Sequence, residues 1–240
     1  MSAVSKESAH DSSKIDLKAV HCGVLEYEDG LAMMSQARDQ VLADVERGQP
    51  PQQRIFFVEH PPTITLGRRG TQDDILASTG ELSARGVVVH RTDRGGQATF
   101  HGPGQLVVYP VVSLEELGMS VRAFVAALGQ SAVRVASDHG VAVYYNECTP
   151  GVWTEDGRKL ASVGLRTVHG VTTHGLAMNI DTDLEGFSLI VPCGAPQTQL
   201  CNLSTLAGRK IDVGEVAMQF AAHLCAALRT GGFENQCGVS

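Results

Sequence analysis

The 240-residue chain is poor in aromatics, at 5%, and holds a single tryptophan, Trp153. No apolar run approaches the ~18 residues needed to cross a bilayer, which argues against a membrane-embedded protein. The opening residues, MSAVSKESAHDSSKIDLKAV, have no apolar central segment and no arginine. They resemble neither a secretory signal nor a transit peptide, and 1–19 is expected to be a disordered polar tail. The expected compartment is the cytosol, where thiols stay reduced. The six cysteines (Cys22, Cys148, Cys193, Cys201, Cys225, Cys237) form no C-x-x-C and are not read as a disulfide framework or a zinc site. There is no G-x-G-x-x-G and no G-K-[ST], so a phosphate-binding loop is unsupported. A net charge of −7 lacks the basic surplus expected of a nucleic-acid partner.

What is present is periodicity. Leu31, Met34, Val41, Leu42 and Val45 share a face and predict a helix over Leu31–Glu46, ended by GQPPQQ. RIFFVEH, TITL, VVVHRT and QLVVYPVVSL read as strands, with one short helix expected between Thr71 and Arg85. Ser120 opens a helix whose face carries Val121, Phe124, Leu128, Ala132 and Val135, and Gly140 closes it. Strands follow, joined by turns at EDG and near HG. A last helix is expected over Val213–Leu228. Helices and strands do not alternate regularly, which disfavours a doubly wound parallel sheet. The expected fold is α/β (α+β): one domain over 20–230, with a mixed, largely antiparallel sheet covered by helices. A frayed tail, 231–240, follows it.

The densest chemistry lies in RGGQATFHGPGQLVVY, residues 94–109. Gly95 and Gly96 sit between two strand-like runs, where glycine marks a bulge or a close backbone approach. A structural hairpin loop explains the glycines equally well. Arg94, Gln97, His101 and Gln105 alongside them favour a ligand. Cys193 follows an apolar strand, FSLIV, and lies in a PCGAP turn, which exposes a side chain and leaves backbone N–H groups for an oxyanion. Such a thiol is reactive only in a basic environment. Lys159, in GRKLASVGL, is a candidate source of it, because an ammonium near a thiol favours thiolate. A lysine after a D-G turn is equally at home on the surface. A metal site at His101, His174 and Cys193 has no ligand spacing behind it.

Taken together, RGGQATFHGPGQLVVYPV, VEHPPTITLGRRG, GRKLASVGLR, THGLAMNI and IVPCG resemble the lipoyl(octanoyl) transferase family, in the family's order and over about Val20–Leu228. The resemblance implies a biotin/lipoate ligase-like fold. It implies that Cys193 is the nucleophile carrying octanoyl as a thioester, and that Lys159 lowers the thiol pKa and shuttles protons. It places the acyl site at Arg94, Gly95, Gly96, Gln97, Ala98, Thr99, Phe100 and His101, with Ser162, Val163, Gly164, Gly175, Leu176 and Ala177. No cofactor and no metal are implied. The donor would be octanoyl-acyl carrier protein. The acceptors would be lipoyl domains of 2-oxoacid dehydrogenase complexes and glycine cleavage H protein. Because such partners are acidic, Arg68, Arg69, Arg158 and Lys159 are expected to form a basic rim at the tunnel mouth. Two other activities fit the same fold: an ATP-dependent lipoate–protein ligase, and a non-catalytic acyl-binding protein.

Overall fold

The computed structural model describes residues 17–194 and 197–229. The run QLVVYPV forms strand β6 (Gln105–Val111), and all seven residues are buried. A strand with nothing to expose needs partners on both edges and cover on both faces. β2 (Gln53–Glu59) pairs antiparallel with one edge of β6, and β10 (Val171–Asn179) with the other. β1 (Leu17–Val24) extends the sheet beside β2 in parallel. β9 (Lys159–Val168), β8 (Gly151–Trp153) and β7 (Tyr144–Asn146) extend it beyond β10, all antiparallel. The order is β1-β2-β6-β10-β9-β8-β7, the mixed, largely antiparallel sheet expected.

Helix α1 (Tyr27–Glu46) covers one face through Met34, Ala37 and Val41. Helices α3 (Val121–Asp138) and α5 (Val213–Arg229), the latter preceded by the short α4 (Leu203–Ala207), cover the other, burying Phe124, Leu128, Val135, Phe220 and Leu224. Each such side chain contributes roughly 1.5–3 kcal/mol of burial. α3 begins where the sequence predicts, with the Ser120 hydroxyl accepting from the Ala123 N–H at 3.2 Å. The β9–β10 hairpin turns on His169 and Gly170, at φ of 47° and 79°. Both central residues are left-handed, as a two-residue primed turn requires.

A second sheet, order β4-β3-β5, joins β3 (Thr63–Leu66), β4 (Val88–Arg91) and β5 (Ala98–His101). Its core of Ile64, Leu66, Phe100, Phe187 and Leu189 is separate from the other two. Among the described residues, no helix is long and apolar enough to cross a membrane.

Four elements differ from the sequence reading. FSLIV, expected as a strand, is wound mostly into a 3-10 helix over Leu184–Leu189, which turns Phe187 and Leu189 into the second sheet's core. β1 starts at Leu17, inside the stretch read as polar tail; it is a half-exposed edge strand, where polar residues are tolerated. α1 begins four residues before Leu31, because Tyr27 is itself buried, and Glu28 and Asp29 in its first turn suit the helix dipole. The expected helix between Thr71 and Arg85 is split into a 3-10 turn at Gln72–Asp74 and helix α2 (Thr79–Ala84). Ile75 between them is extended and bridges Ile190, while the Val191 N–H donates to the Asp74 carbonyl at 2.8 Å. Pairing with that distant segment outweighs local helix propensity.

Candidate active site

A cavity of about 600 Å³ opens where the glycine-rich segment meets β6, β9 and β10. That size suits a small-molecule site. Here main chain packs on main chain. The Gly95 N–H donates to the Leu165 carbonyl at 3.1 Å. A Cβ on Gly164 would stand 3.0 Å from the Gly95 carbonyl oxygen, and one on Gly175 would run into the Val108 carbonyl. Gly96 holds a φ of 93°, which side-chain-bearing residues rarely adopt. Glycine is required here because main chain approaches main chain: the 94–97 segment lies on β9, and β10 lies close against β6.

Most of the expected site residues converge on this cavity. Arg94, Gly95, Gly96, Gln97, Ala98, Thr99 and His101 line one wall. Ser162, Val163 and Gly164 of β9, with Gly175, Leu176 and Ala177 of β10, line another, and Lys159 lines it as well. Phe100 does not. It turns to the opposite face of β5 from Thr99 and His101, as strand alternation demands, and meets Phe187 with ring centroids 5.5 Å apart.

Lys159 is buried, at 5% exposure, and its Nζ sits 4.9 Å from the centre of the Trp153 ring. A cation over an indole face is favourable when desolvated. Gly151 makes room for the lysine stem: a Cβ there would lie 2.6 Å from Lys159 Cε. Lys159 is therefore an interior group, and the expectation of a rim holding it is corrected. Arg158 lies outside and pairs with Asp156 at 2.8 Å. Arg68 and Arg69 are exposed; their N–H groups donate to the Arg94 and Gly96 carbonyls, both at 3.0 Å. Arg69 also lines the cavity.

Cys193 lies in the 3-10 turn Pro192–Gly194, and its side chain falls outside what the structure describes. The main chain of the turn packs on the cavity wall: a Cβ on Gly194 would collide with the side-chain amide of Gln97. Thr198, further along the same loop, lines the cavity. The loop then returns to Lys159. The Lys159 N–H donates to the Gln199 carbonyl at 2.8 Å, and the Cys201 N–H donates to the Lys159 carbonyl at 3.1 Å. Burial pushes the thiols of Cys22 and Cys225 up, and that of Cys201 to about 11, so none of the three is a ready nucleophile.

The wall is braced by Arg94. Its Nη2 donates to the Thr65 carbonyl at 2.6 Å and the Gln97 carbonyl at 2.7 Å, its Nη1 to the Gly95 carbonyl at 3.0 Å, and its Nε to the Thr65 hydroxyl at 3.1 Å. The guanidinium thus fixes the loop from beneath. His101 Nδ1 is 2.7 Å from Gln105 Oε1. Burial, reinforced by His60, pushes the His101 pKa down to about 3, so the ring is neutral.

Sequence reasoning missed a cluster of rings beside these residues. Tyr27 lies 5.3 Å from His60, 5.2 Å from His90 and 6.0 Å from His101 between centroids. His60 Nε2 is 2.8 Å from the Tyr109 hydroxyl. His174 was weighed only as a metal ligand. It lines the cavity at a φ of 57°, left-handed within a strand, with Nε2 2.7 Å from Asp93 Oδ1. Among the described residues no group of three His, Cys, Asp or Glu could hold a metal ion. The T-H-G preceding the expected Leu176–Ala177 wall was the available signal for His174. The tyrosines offered none, since each sits in an ordinary apolar pattern.

The model of the lipoyl protein ligase A/B catalytic domain matches residues 32–225. An octanoyltransferase of Bacteroides fragilis is 37% identical over 209 residues, which cover 85% of this chain and 95% of that protein. One of Chloroflexus aggregans is 44% identical over 174 residues, 72% of this chain and 79% of that protein. Among solved structures, a bipartite lipoate protein ligase of Thermoplasma acidophilum superposes with a TM-score of 0.64 at 16% identity, covering 93% of this chain and 88% of that one. That likeness extends the biotin/lipoate ligase-like fold to a sequence far from this one. With a family match spanning most of the residues that build the cavity, the chain belongs to the lipoyl protein ligase A/B catalytic-domain family.

Proposed function

We propose that this chain is an octanoyltransferase of protein lipoylation. It takes octanoyl from octanoyl-acyl carrier protein onto Cys193 and delivers it to a lysine of lipoyl domains. The observation that carries this reading is Lys159, a buried lysine that lines the cavity and is hydrogen-bonded through its main chain to the loop that bears Cys193.

The chemistry balances without an external energy source. The Cys193 thiolate attacks the thioester carbonyl and expels the carrier thiolate, so one thioester replaces another. The acceptor amine then attacks the Cys193 thioester, loses a proton, and expels the Cys193 thiolate as the amide forms. Thioester to amide is downhill. Two half-reactions through one covalent intermediate give ping-pong kinetics. Lys159, entering as the ammonium, gives its proton to the departing carrier thiolate in the first half-reaction, and the resulting free amine takes the proton of the attacking acceptor amine in the second. An octanoyl tail of six or seven methylenes gains roughly 5 kcal/mol on burial, before ordering costs. Arg68 and Arg69, the exposed part of the expected rim, face acidic partners.

Intact mass spectrometry after mixing with octanoyl-carrier tests the reading. The expected result is a single octanoyl adduct that disappears in Cys193→Ser. Transfer that survives Cys193→Ser and requires ATP would instead establish a ligase. Binding without any transfer would leave an acyl-binding protein.

A further inference from the structure

Gln105 and Asn179 face each other across β6 and β10 and are almost wholly buried, at 1% and 3% exposure. Neither lines the cavity, yet their amides connect its two sides. Gln105 Nε2 donates to the Phe100 carbonyl at 3.1 Å and to Asn179 Oδ1 at 3.0 Å. Asn179 Nδ2 donates to the Cys201 carbonyl at 3.2 Å. These contacts fix both amides in one orientation, because each oxygen and nitrogen has a partner of the right sense.

The bonds run head to tail. Arg94 donates to the Thr65 hydroxyl, and that hydroxyl stands 3.5 Å from His101 Nε2. With Gln105 Oε1 as acceptor, His101 carries its proton on Nδ1 and leaves Nε2 to accept from Thr65. The series continues through Gln105 and Asn179 to the Cys201 carbonyl, and the Cys201 N–H donates to Lys159. Donors aligned in one direction polarise one another, and a fully satisfied buried network specifies a single arrangement.

We infer that Asn179 is a positioning residue: it ties the glycine-rich wall to the 199–201 segment that seats Lys159 and ends the Cys193 loop. The role in transfer rests on the function proposed above; the mechanical tie does not. Asn179 is the joint because it is the one side chain in the series that reaches across to the loop's main chain. Without its N–H donor the Cys201 carbonyl loses its side-chain partner, and the main chain of residues 199–201 keeps its hydrogen bonds to Lys159 while Cys201 stays packed in the core.

Asn179→Leu keeps the size and removes the donor. In hydrogen exchange, a peptide spanning residues 199–201 should exchange roughly tenfold faster, as expected for one lost buried hydrogen bond, while α3 and β6 stay protected. In octanoyl transfer, kcat should fall on the order of 100-fold, with the donor KM within about threefold, since a small misplacement of reacting groups is costly. Asn179→Asp supplies the control. Its protonated carboxyl can donate to the Cys201 carbonyl and its ionised form cannot, so activity should recover on the acid side of the profile. This variant also decides the matter if Asn179→Leu does not fold. A mere packing role would lower Tm without moving exchange at 199–201 or the pH profile, and that outcome overturns the inference. Faster exchange in Asn179→Leu, with no octanoyl transfer even by the unmodified chain, would retain the tie and refute the proposed function.

Discussion

The buried imidazole of His101 makes a quantitative demand on stability. Its pKa is about 3 in the folded chain, against an ordinary unfolded value near 6.5. Between those values the unfolded chain takes up a proton that the folded chain refuses. The stabilisation is fully present above the unfolded pKa and is lost as pH falls through it toward the folded one. Well below pH 6.5 the slope approaches about 1.4 kcal/mol per pH unit for this one group. From pH 7 to pH 5 the loss comes to roughly 2 kcal/mol, almost all of it below pH 6.5. Burial lowers the pKa of His60 and His174 too, so their contributions have the same sign. Urea unfolding of the unmodified chain and of His101→Gln, at pH 7 and pH 5, isolates the share of His101. The unmodified chain should lose roughly 2 kcal/mol more than the variant over that interval. Absolute stabilities will differ between the two, but only the change with pH is compared. Equal losses would show that His101 is accessible to protons in the folded state, and the head-to-tail hydrogen-bond series through its neutral ring would fall with it.

Two further outcomes follow from the site's construction. Phe100→Ala should cost about 3–5 kcal/mol of stability by emptying the core against Phe187. Because Phe100 faces away from the cavity, the donor KM of the remaining folded enzyme should change little, and a large KM change without loss of Tm would contradict this placement. Arg68→Glu with Arg69→Glu should slow association with octanoyl-carrier in stopped flow and blunt its dependence on salt. An unchanged association rate would remove these arginines from the docking surface.

Much of this was legible in the sequence because local and tertiary demands agreed. The faces of α3 and α5 and the uninterrupted apolar run of β6 each permit one placement. The site was legible for a different reason: Gly95 and Gly96 marked a turn or a close backbone approach, and the family resemblance supplied Gly164 and Gly175, where an added Cβ would meet main chain. What stayed hidden depended on contacts far apart in sequence. Ile75 breaks a plausible helix only because Ile190 lies beside it. Lys159 stood out through the family resemblance, but its place on an exposed rim is corrected because nothing near it in sequence announces the Trp153 ring beside it or the returning segment at Gln199–Cys201. Gln105 was visible as a polar residue beside the glycines, but its partner Asn179 passed as an ordinary strand residue until the register placed the two opposite each other. Phe100 was misplaced for want of a simpler step, since alternation along ATFH already sets it against Thr99 and His101.

The seam of glycines also limits how this chamber can vary. One stretch of its wall is main chain alone, where the Gly95 N–H meets the Leu165 carbonyl and Gly164 lies against the Gly95 carbonyl. A side chain added at Gly95 or Gly164 would push those backbones apart, and neither residue has a side chain to trim. That stretch of wall is therefore fixed by the fold. Variants with altered chain-length preference should carry their changes at lining residues that bear side chains, such as Val163, Leu176, Tyr109 or Trp153, and not at Gly95 or Gly164.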